Sequence, residues 1–336
     1  MGNPKNNSRR DFLRTCSQAG LGLALPFGAS TLLHGKPKEP DPYEGPYYVV
    51  FNASGGWDTT HLMDPKGVNG INRLYKEGDI LTHGKHTFAP TAKHIDSGMS
   101  NEAFFKAYGN ELLVLNGLDY SINNHSPCMR YMATGKLDSL AYPTFAALVA
   151  ACRAPEAPLA FQTFGNYSAT GNLVPMARIP YLPSLKLIAN ADSIQGLTRL
   201  PYHDDFALDL IEQTLSKQAQ AQQSTPNLPR TKQAQSMLYA AQSSSKTLGR
   251  VKPSSLNVPN KGRLERQAEI ALSCFKAGVC VSANLSIGQF DSHAKNDRDQ
   301  MKLIPEFLGG IDYLMKLAEE LKIRDKLVVV IQSEMG

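Results

Sequence analysis

Short apolar runs alternate along the chain with stretches of helical spacing, and polar, glycine-bearing segments separate them. Tyr47 to Phe51 (YYVVF) is too short for a helix and rich in strand formers, which predicts a buried β-strand. Glu111 to Leu115 (ELLVL), Val279 to Ile287 and Leu327 to Ile331 predict three more, with Leu159 to Phe164 a further short strand. Helical spacing covers Asn101 to Tyr108, Pro127 to Thr134, Tyr142 to Cys152, Arg263 to Lys276 and Asp297 to Lys322. In the last of these, Pro305 either kinks the helix or marks its start. Strand, helix, strand in that order predicts right-handed parallel crossovers, and therefore an α/β fold with a mainly parallel sheet.

The polar groups that follow each strand change this picture from fold to chemistry. Gly55 and Gly56 stop the first strand and allow a tight turn, leaving Trp57, Asp58, Thr59, Thr60 and His61 at its carboxyl end. In open α/β sheets that edge is where ligands bind. Asp58 or Thr59 alternatively caps the next helix. After Glu111 to Leu115 come Asn123, Asn124, His125, Ser126 and Pro127, which place His125 and Ser126 at a helix amino terminus that favours an anion. Asp291 and His293 follow the third strand, two residues apart, so in extended structure their side chains point the same way. Ser333 and Glu334 follow the fourth. Pro65 to about Asp96 reads as loop, and its His83, His86 and His94 are expected to be solvated. From about Leu197 to Lys261 the chain is rich in Gln, Ser and Ala and broken by Pro226, Pro229, Pro253 and Pro259, which predicts a helical insertion.

The chain of 336 residues is long enough for one large domain or two small ones. Its net charge of +5 is concentrated at the amino terminus, where Lys5, Arg9, Arg10, Arg14, Lys36 and Lys38 face only Asp11 and Glu39. The remainder is almost neutral, which gives a nucleic-acid partner no electrostatic support. Residues 8 to 13 read SRRDFL, followed by the mildly apolar run Ala19 to Leu25 and small residues near Gly28 to Ser30. This order resembles a twin-arginine export signal over residues 1–30, with a Pro-rich linker over 31–44 and a periplasmic or envelope destination. No run approaches the roughly 18 apolar residues of a membrane span. Cys16 leaves with such a signal. Cys128, Cys152, Cys274 and Cys280 remain without metal-knuckle spacing and are expected to be buried free thiols, with disulfides as the alternative.

Parallel strands bring the four clusters to one sheet edge. Asp58, His125, Asp291, His293 and Glu334 then form a mixed oxygen and nitrogen donor set that suits zinc or manganese better than calcium. Two such ions about 4 Å apart hydrolyse phosphate or sulfate esters, with Ser126 or water as nucleophile and Arg130 as a candidate contact to the anion. A surface salt bridge is the other role open to Arg130.

The motifs GGWDTTH, HSPCMRYMATG, GQFDSHAKN and QSEMG, behind the arginine pair, resemble the exported family called domain of unknown function 1501. That family is similar in fold to the alkaline phosphatase and sulfatase superfamily. The resemblance covers most of residues 45–336 and is weakest through the middle insertion. It implies a three-layer α/β/α sandwich with two divalent ions at the strand ends. Asp58 matches the first-strand metal aspartate. Counting back from Thr134 and Gly135 puts His125 at the nucleophile position, beside Ser126, and Cys128 follows the proline rather than preceding it, which departs from a sulfatase signature. Asp291 and His293 resemble the later metal ligands, and Glu334 stands where an Asp-His pair is usual. The chain is expected to be incomplete at its carboxyl end. Three functions follow: an exported metal-dependent hydrolase acting on a small-molecule or polysaccharide ester; a degenerate member that binds an anionic glycan or envelope partner; and a phosphomutase, disfavoured by export.

Overall fold

The structure, a computed structural model, describes residues 41–335 apart from 69, 92–96, 139–141, 190–201 and parts of 225–243. The export signal, most of the expected linker, Cys16 and His94 lie outside the described residues. Tyr43, expected in the linker, already belongs to the folded part: its amide donates to Gly278 O at 2.9 Å.

The sheet is built on β1 (Tyr47–Ala53). Its run of aromatic and β-branched residues is almost wholly buried, as a parallel strand covered on both faces requires. On one side β1 pairs with β6 (Ser282–Ile287), Ala53 opposite Ile287; on the other it pairs with β7 (Leu327–Gln332), Asn52 opposite Gln332. Beyond β6 lie β4 (Phe161–Thr163) and β5 (Met176–Ala177), so the order is β5-β4-β6-β1-β7 with every pairing parallel. Because β1, β6 and β7 run the same way in register, residues 54–58, 288–293 and 333–335 all emerge at one edge.

Alternation along β1 divides the core. Val49, Phe51 and Ala53 join a cluster with Leu272 and Phe275 of α7 (Arg263–Lys276) and with Phe307, Ile311 and Leu314 of α8 (Asn296–Glu320). Val50 joins Ala146, Ala147 and Ala150 of α3 (Phe145–Arg153), whose small side chains let the helix approach the sheet closely. The helix α8 passes through Pro305 without stopping, and the Pro305 carbonyl accepts from Met99 N at 2.9 Å. Against α8 lies α1 (Asn101–Tyr108), whose Tyr108 hydroxyl donates to Asp312 at 2.8 Å. The middle segment is helical in part: it holds α5 (Asp205–Ser224) and α6 (Ser245–Leu248), preceded by α4 (Leu182–Ala189), while residues 249–261 form no helix.

Two expectations fail here. Glu111 to Leu115 is not a strand: Leu113 and Leu115 are 77 % and 67 % exposed, and Glu111 is held at the surface by two hydrogen bonds from Arg324 at 2.8 and 3.0 Å. Its composition suits a buried strand, yet among the described residues no strand pairs with it, so the chain reaches α2 (His125–Thr134) through a loop. His86 is not solvated either. It lies in an antiparallel hairpin of β2 (Leu81–His83) and β3 (His86–Phe88), buried beside Phe105, with Nε2 2.9 Å from Gly109 O.

Cys128, Cys274 and Cys280 are buried free thiols and Cys152 is only partly buried, and burial pushes Cys274 from 9.0 up to about 12. Burial also raises Cys280 well above the ordinary value. Below pH 9 folded and unfolded chains both keep these protons. Above it the unfolded chain loses them first, so rising pH favours unfolding. Stability is expected to fall by about 1.4 kcal/mol per pH unit per thiol in that alkaline window. Urea titrations of wild type and Cys274→Ala from pH 8 upward check this, and equal slopes for the two proteins would refute it.

Candidate functional site at the carboxyl edge of the sheet

Three strand ends are laced together before any functional side chain is placed. Gly55 and Gly56 turn the chain out of β1 at φ +115° and +89°, and a Cβ on Gly55 would lie 2.3 Å from Asp291 N, so only glycine fits. The Gly55 amide donates to Glu334 Oε1 at 2.6 Å, the Trp57 amide to Ser333 Oγ at 3.0 Å, and Ser333 Oγ to Ala53 O at 2.8 Å. Trp57 is thereby seated edge-on against Phe307, which leaves Asp58 facing outward.

Asp58 does cap a turn, the short 3-10 segment Thr59–His61, accepting from Thr60 N at 3.0 Å and Thr60 Oγ1 at 2.6 Å. Its other oxygen, Oδ2, accepts from Asn296 Nδ2 at 2.6 Å and lies 3.5 Å from His61 Nε2. The same His61 nitrogen is 3.7 Å from Asp297 Oδ1. The capping role and the outward-facing carboxylate therefore coexist in one residue.

A second group centres on His125, the first residue of α2, fixed by an Asn124 side chain that accepts from Ser126 N. His125 Nε2 lies 3.4 Å from Asp291 Oδ2 and its Nδ1 3.4 Å from Glu334 Oε1. Asp291 Oδ1 is also 2.8 Å from His293 Nε2, whose side chain is 85 % exposed. Glu334 is 2 % exposed, and its Oε2 has no hydrogen-bond partner. A buried carboxylate oxygen left unpaired is costly. Cys128 lies beneath this group, its thiol pushed up by burial and then by the Glu334 charge.

Asp58, Asn123, Asn124, His125, Asp291, His293 and Asn296 line one cavity of about 640 Å³. No lysine or arginine is among its lining residues, and among the described residues the ion-pair partners of Asp58, Asp291, Asp297 and Glu334 are histidines. The distances matter. Two donors about 2.1 Å from one tetrahedral ion lie about 3.4 Å apart, longer than a good hydrogen bond. The separation of His125 Nε2 from Asp291 Oδ2 has that length, and with a cation there Nδ1 would carry the ring's one N–H toward Glu334 Oε1. The donor set and the orphaned Glu334 oxygen fit a divalent cation. Among the described residues no three His, Cys, Asp or Glu side chains already surround one point, and the nearest further donor beside Asp291 is His293, 2.8 Å from it at the rim.

Of the residues singled out from the sequence, Asp58, His125, Asp291 and His293 share the cavity, while Glu334 is outside its lining and reaches it only through His125, 3.4 Å away. Ser126 is exposed and outside the cavity lining. Arg130 turns to its own helix end, where Nη1 donates to Leu137 O at 2.9 Å, and also lies outside the lining. Asp297 and Gln300 were not anticipated, and His61 and Asn296, placed at strand ends by the sequence, were given no role there. For Asn296 and Gln300 a signal existed: polar residues one turn apart on the amphipathic helix α8, among apolar positions that face the core.

No protein-family model, curated protein or solved structure matches the chain. Among the described residues, no helix is long and apolar enough to cross a membrane.

Proposed function

We propose that this chain is an exported, metal-dependent hydrolase of phosphate or sulfate esters, with an alkaline-phosphatase-like three-layer sandwich of the kind its four motifs resemble. One observation carries the reading: Asp58, His125 and Asp291, far apart in the chain, line a single cavity in which carboxylates outnumber cationic side chains. Such a cavity repels an anionic ester unless cations are held there first. Asp58, His125, Asp291, His293 and Glu334 would hold zinc or manganese. The ions, when bound, offset the ester's charge and activate the attacking group.

The protein's own residues then have distinct tasks. Asn296 and the Thr60 hydroxyl orient the Asp58 carboxylate. Asn123 and Asn124, at the amino end of α2, offer amides to an ester oxygen at the cavity wall. His293, at the rim with Nε2 2.8 Å from Asp291 Oδ1, would share a cation with that carboxylate. With Ser126 and Arg130 outside the lining, water is the favoured nucleophile. Export by the twin-arginine route is proposed from SRRDFL and the apolar run behind it.

That same placement of Ser126 and Arg130 favours a second reading, a catalytically degenerate member that binds an anionic glycan or envelope partner through its metal. Metal content of the purified chain, with rates against phosphate and sulfate monoesters and diesters, separates the two. About two equivalents of zinc or manganese with turnover of one ester class is the expected result. Metal without turnover favours the binder, and a chain that takes up neither metal refutes both.

A further inference from the structure

Gln300 sits on the second turn of α8 with its side chain 1 % exposed, and its one carboxamide joins the two loops that carry the cavity's aspartates. Its Oε1 accepts from the Asp58 amide at 3.0 Å. Its Nε2 donates to Phe290 O at 3.0 Å, one residue before Asp291, and to Gly56 O at 3.4 Å. We propose that Gln300 is a positioning residue that sets the span between Asp58 and Asp291, and with it the affinity of the cavity for a divalent cation. This inference rests on the metal-dependent reading above.

Three observations bear on it. The loops already touch without slack, since a Cβ on Gly55 would lie 2.3 Å from Asp291 N, so a shift of one loop moves the other. The helix that presents Gln300 is anchored in the core by Leu303, Ile304 and Phe307, all buried within the next two turns, so the carboxamide is held by a rigid element. Asn296, one turn earlier, holds the Asp58 carboxylate while Gln300 holds its backbone, so position and orientation are set from one helix face. The chemistry requires an amide: the contacts need one acceptor and two donated hydrogens, which a carboxylate or a thioether of similar size cannot supply. Outer-shell partners of this kind govern metal affinity without touching the ion.

The test is zinc affinity of the full chain, titrated with zinc chloride against a chromophoric chelator, alongside thermal melting. Wild type is compared with Gln300→Met, Gln300→Asn and a core control, Val281→Ala, which lies in the cluster around Val50 and before the start of β6, away from the cavity. Both Gln300 variants are expected to bind zinc about 10–100-fold more weakly. Val281→Ala is expected to melt lower and bind zinc like wild type. Gln300 variants with wild-type affinity, or a Val281→Ala chain weakened by the same factor, would overturn the positioning role. Should Gln300→Met fail to fold, Gln300→Asn, which keeps an amide but withdraws it from both loops, carries the comparison. A wild-type chain that binds neither zinc nor manganese refutes the metal-dependent reading itself, an outcome distinct from normal binding left unmoved by Gln300.

Discussion

Asp291→Asn is expected to strip the cavity of metal and abolish ester hydrolysis while leaving the fold intact. Asp291 faces two imidazoles, His125 Nε2 at 3.4 Å and His293 Nε2 at 2.8 Å, so replacing it removes the one carboxylate that links both. In the proposed function Asp291 is a direct ligand, whose loss would weaken metal binding by more than the roughly 10–100-fold that an outer-shell loss costs. Stability is another matter. The Asp291 side chain is 43 % exposed, and exposed ion pairs are worth about 0–1 kcal/mol, so the melting temperature is expected to move little. Metal content, hydrolysis rate and melting curve measured on one preparation check the three parts together. A variant that keeps both metal and turnover at wild-type level would remove Asp291 from the site.

Phe307→Ala is expected to be the most damaging single change to stability, by about 3–5 kcal/mol. The ring is fully buried and meets three others edge-on: Phe51 of β1 at 6.0 Å, Trp57 at 5.8 Å and Phe290 at 5.9 Å. Such pairs contribute about 0.5–1.5 kcal/mol each beyond area burial. A domain's total stability is about 5–15 kcal/mol, so this loss is a large share of it. The site suffers too, because Trp57 precedes Asp58 and Phe290 precedes Asp291. The urea midpoint should drop with an unchanged slope, and zinc affinity should fall with it. A loss under about 1 kcal/mol would mean that the strand ends repack around the missing ring, contrary to the close packing described.

Most of the central sheet was legible from residue type. YYVVFNA and the strand at Ser282–Ile287 are buried throughout or nearly so, and a parallel strand covered on both faces reads as a continuous apolar run. The helices α7 and α8 were legible from spacing, because one face of each must be apolar to meet the sheet. The same logic failed at Glu111 to Leu115. ELLVL has the composition of a buried strand, but burial needs a partner, and here Leu113 and Leu115 face solvent while Arg324 holds Glu111. His125 stands at the helix amino terminus expected of it, but a loop rather than a strand leads there.

Within the site, Asp58, His125, Asp291 and His293, which line the cavity, were singled out because carboxylates and imidazoles follow apolar runs at those places. Which of them meet was not readable. Asp58 and His61 form one group and Asp291, His125, His293 and Glu334 another, while Ser126, adjacent to His125 in the chain, faces away. Local residue types set each segment's conformation, since backbone preference and side-chain periodicity act over a few positions. Parallel pairing of strands hundreds of residues apart set the distances between segments. The 2.6 Å contact from Gly55 to Glu334 and the Gln300 bridge exist only because those pairings bring the ends together.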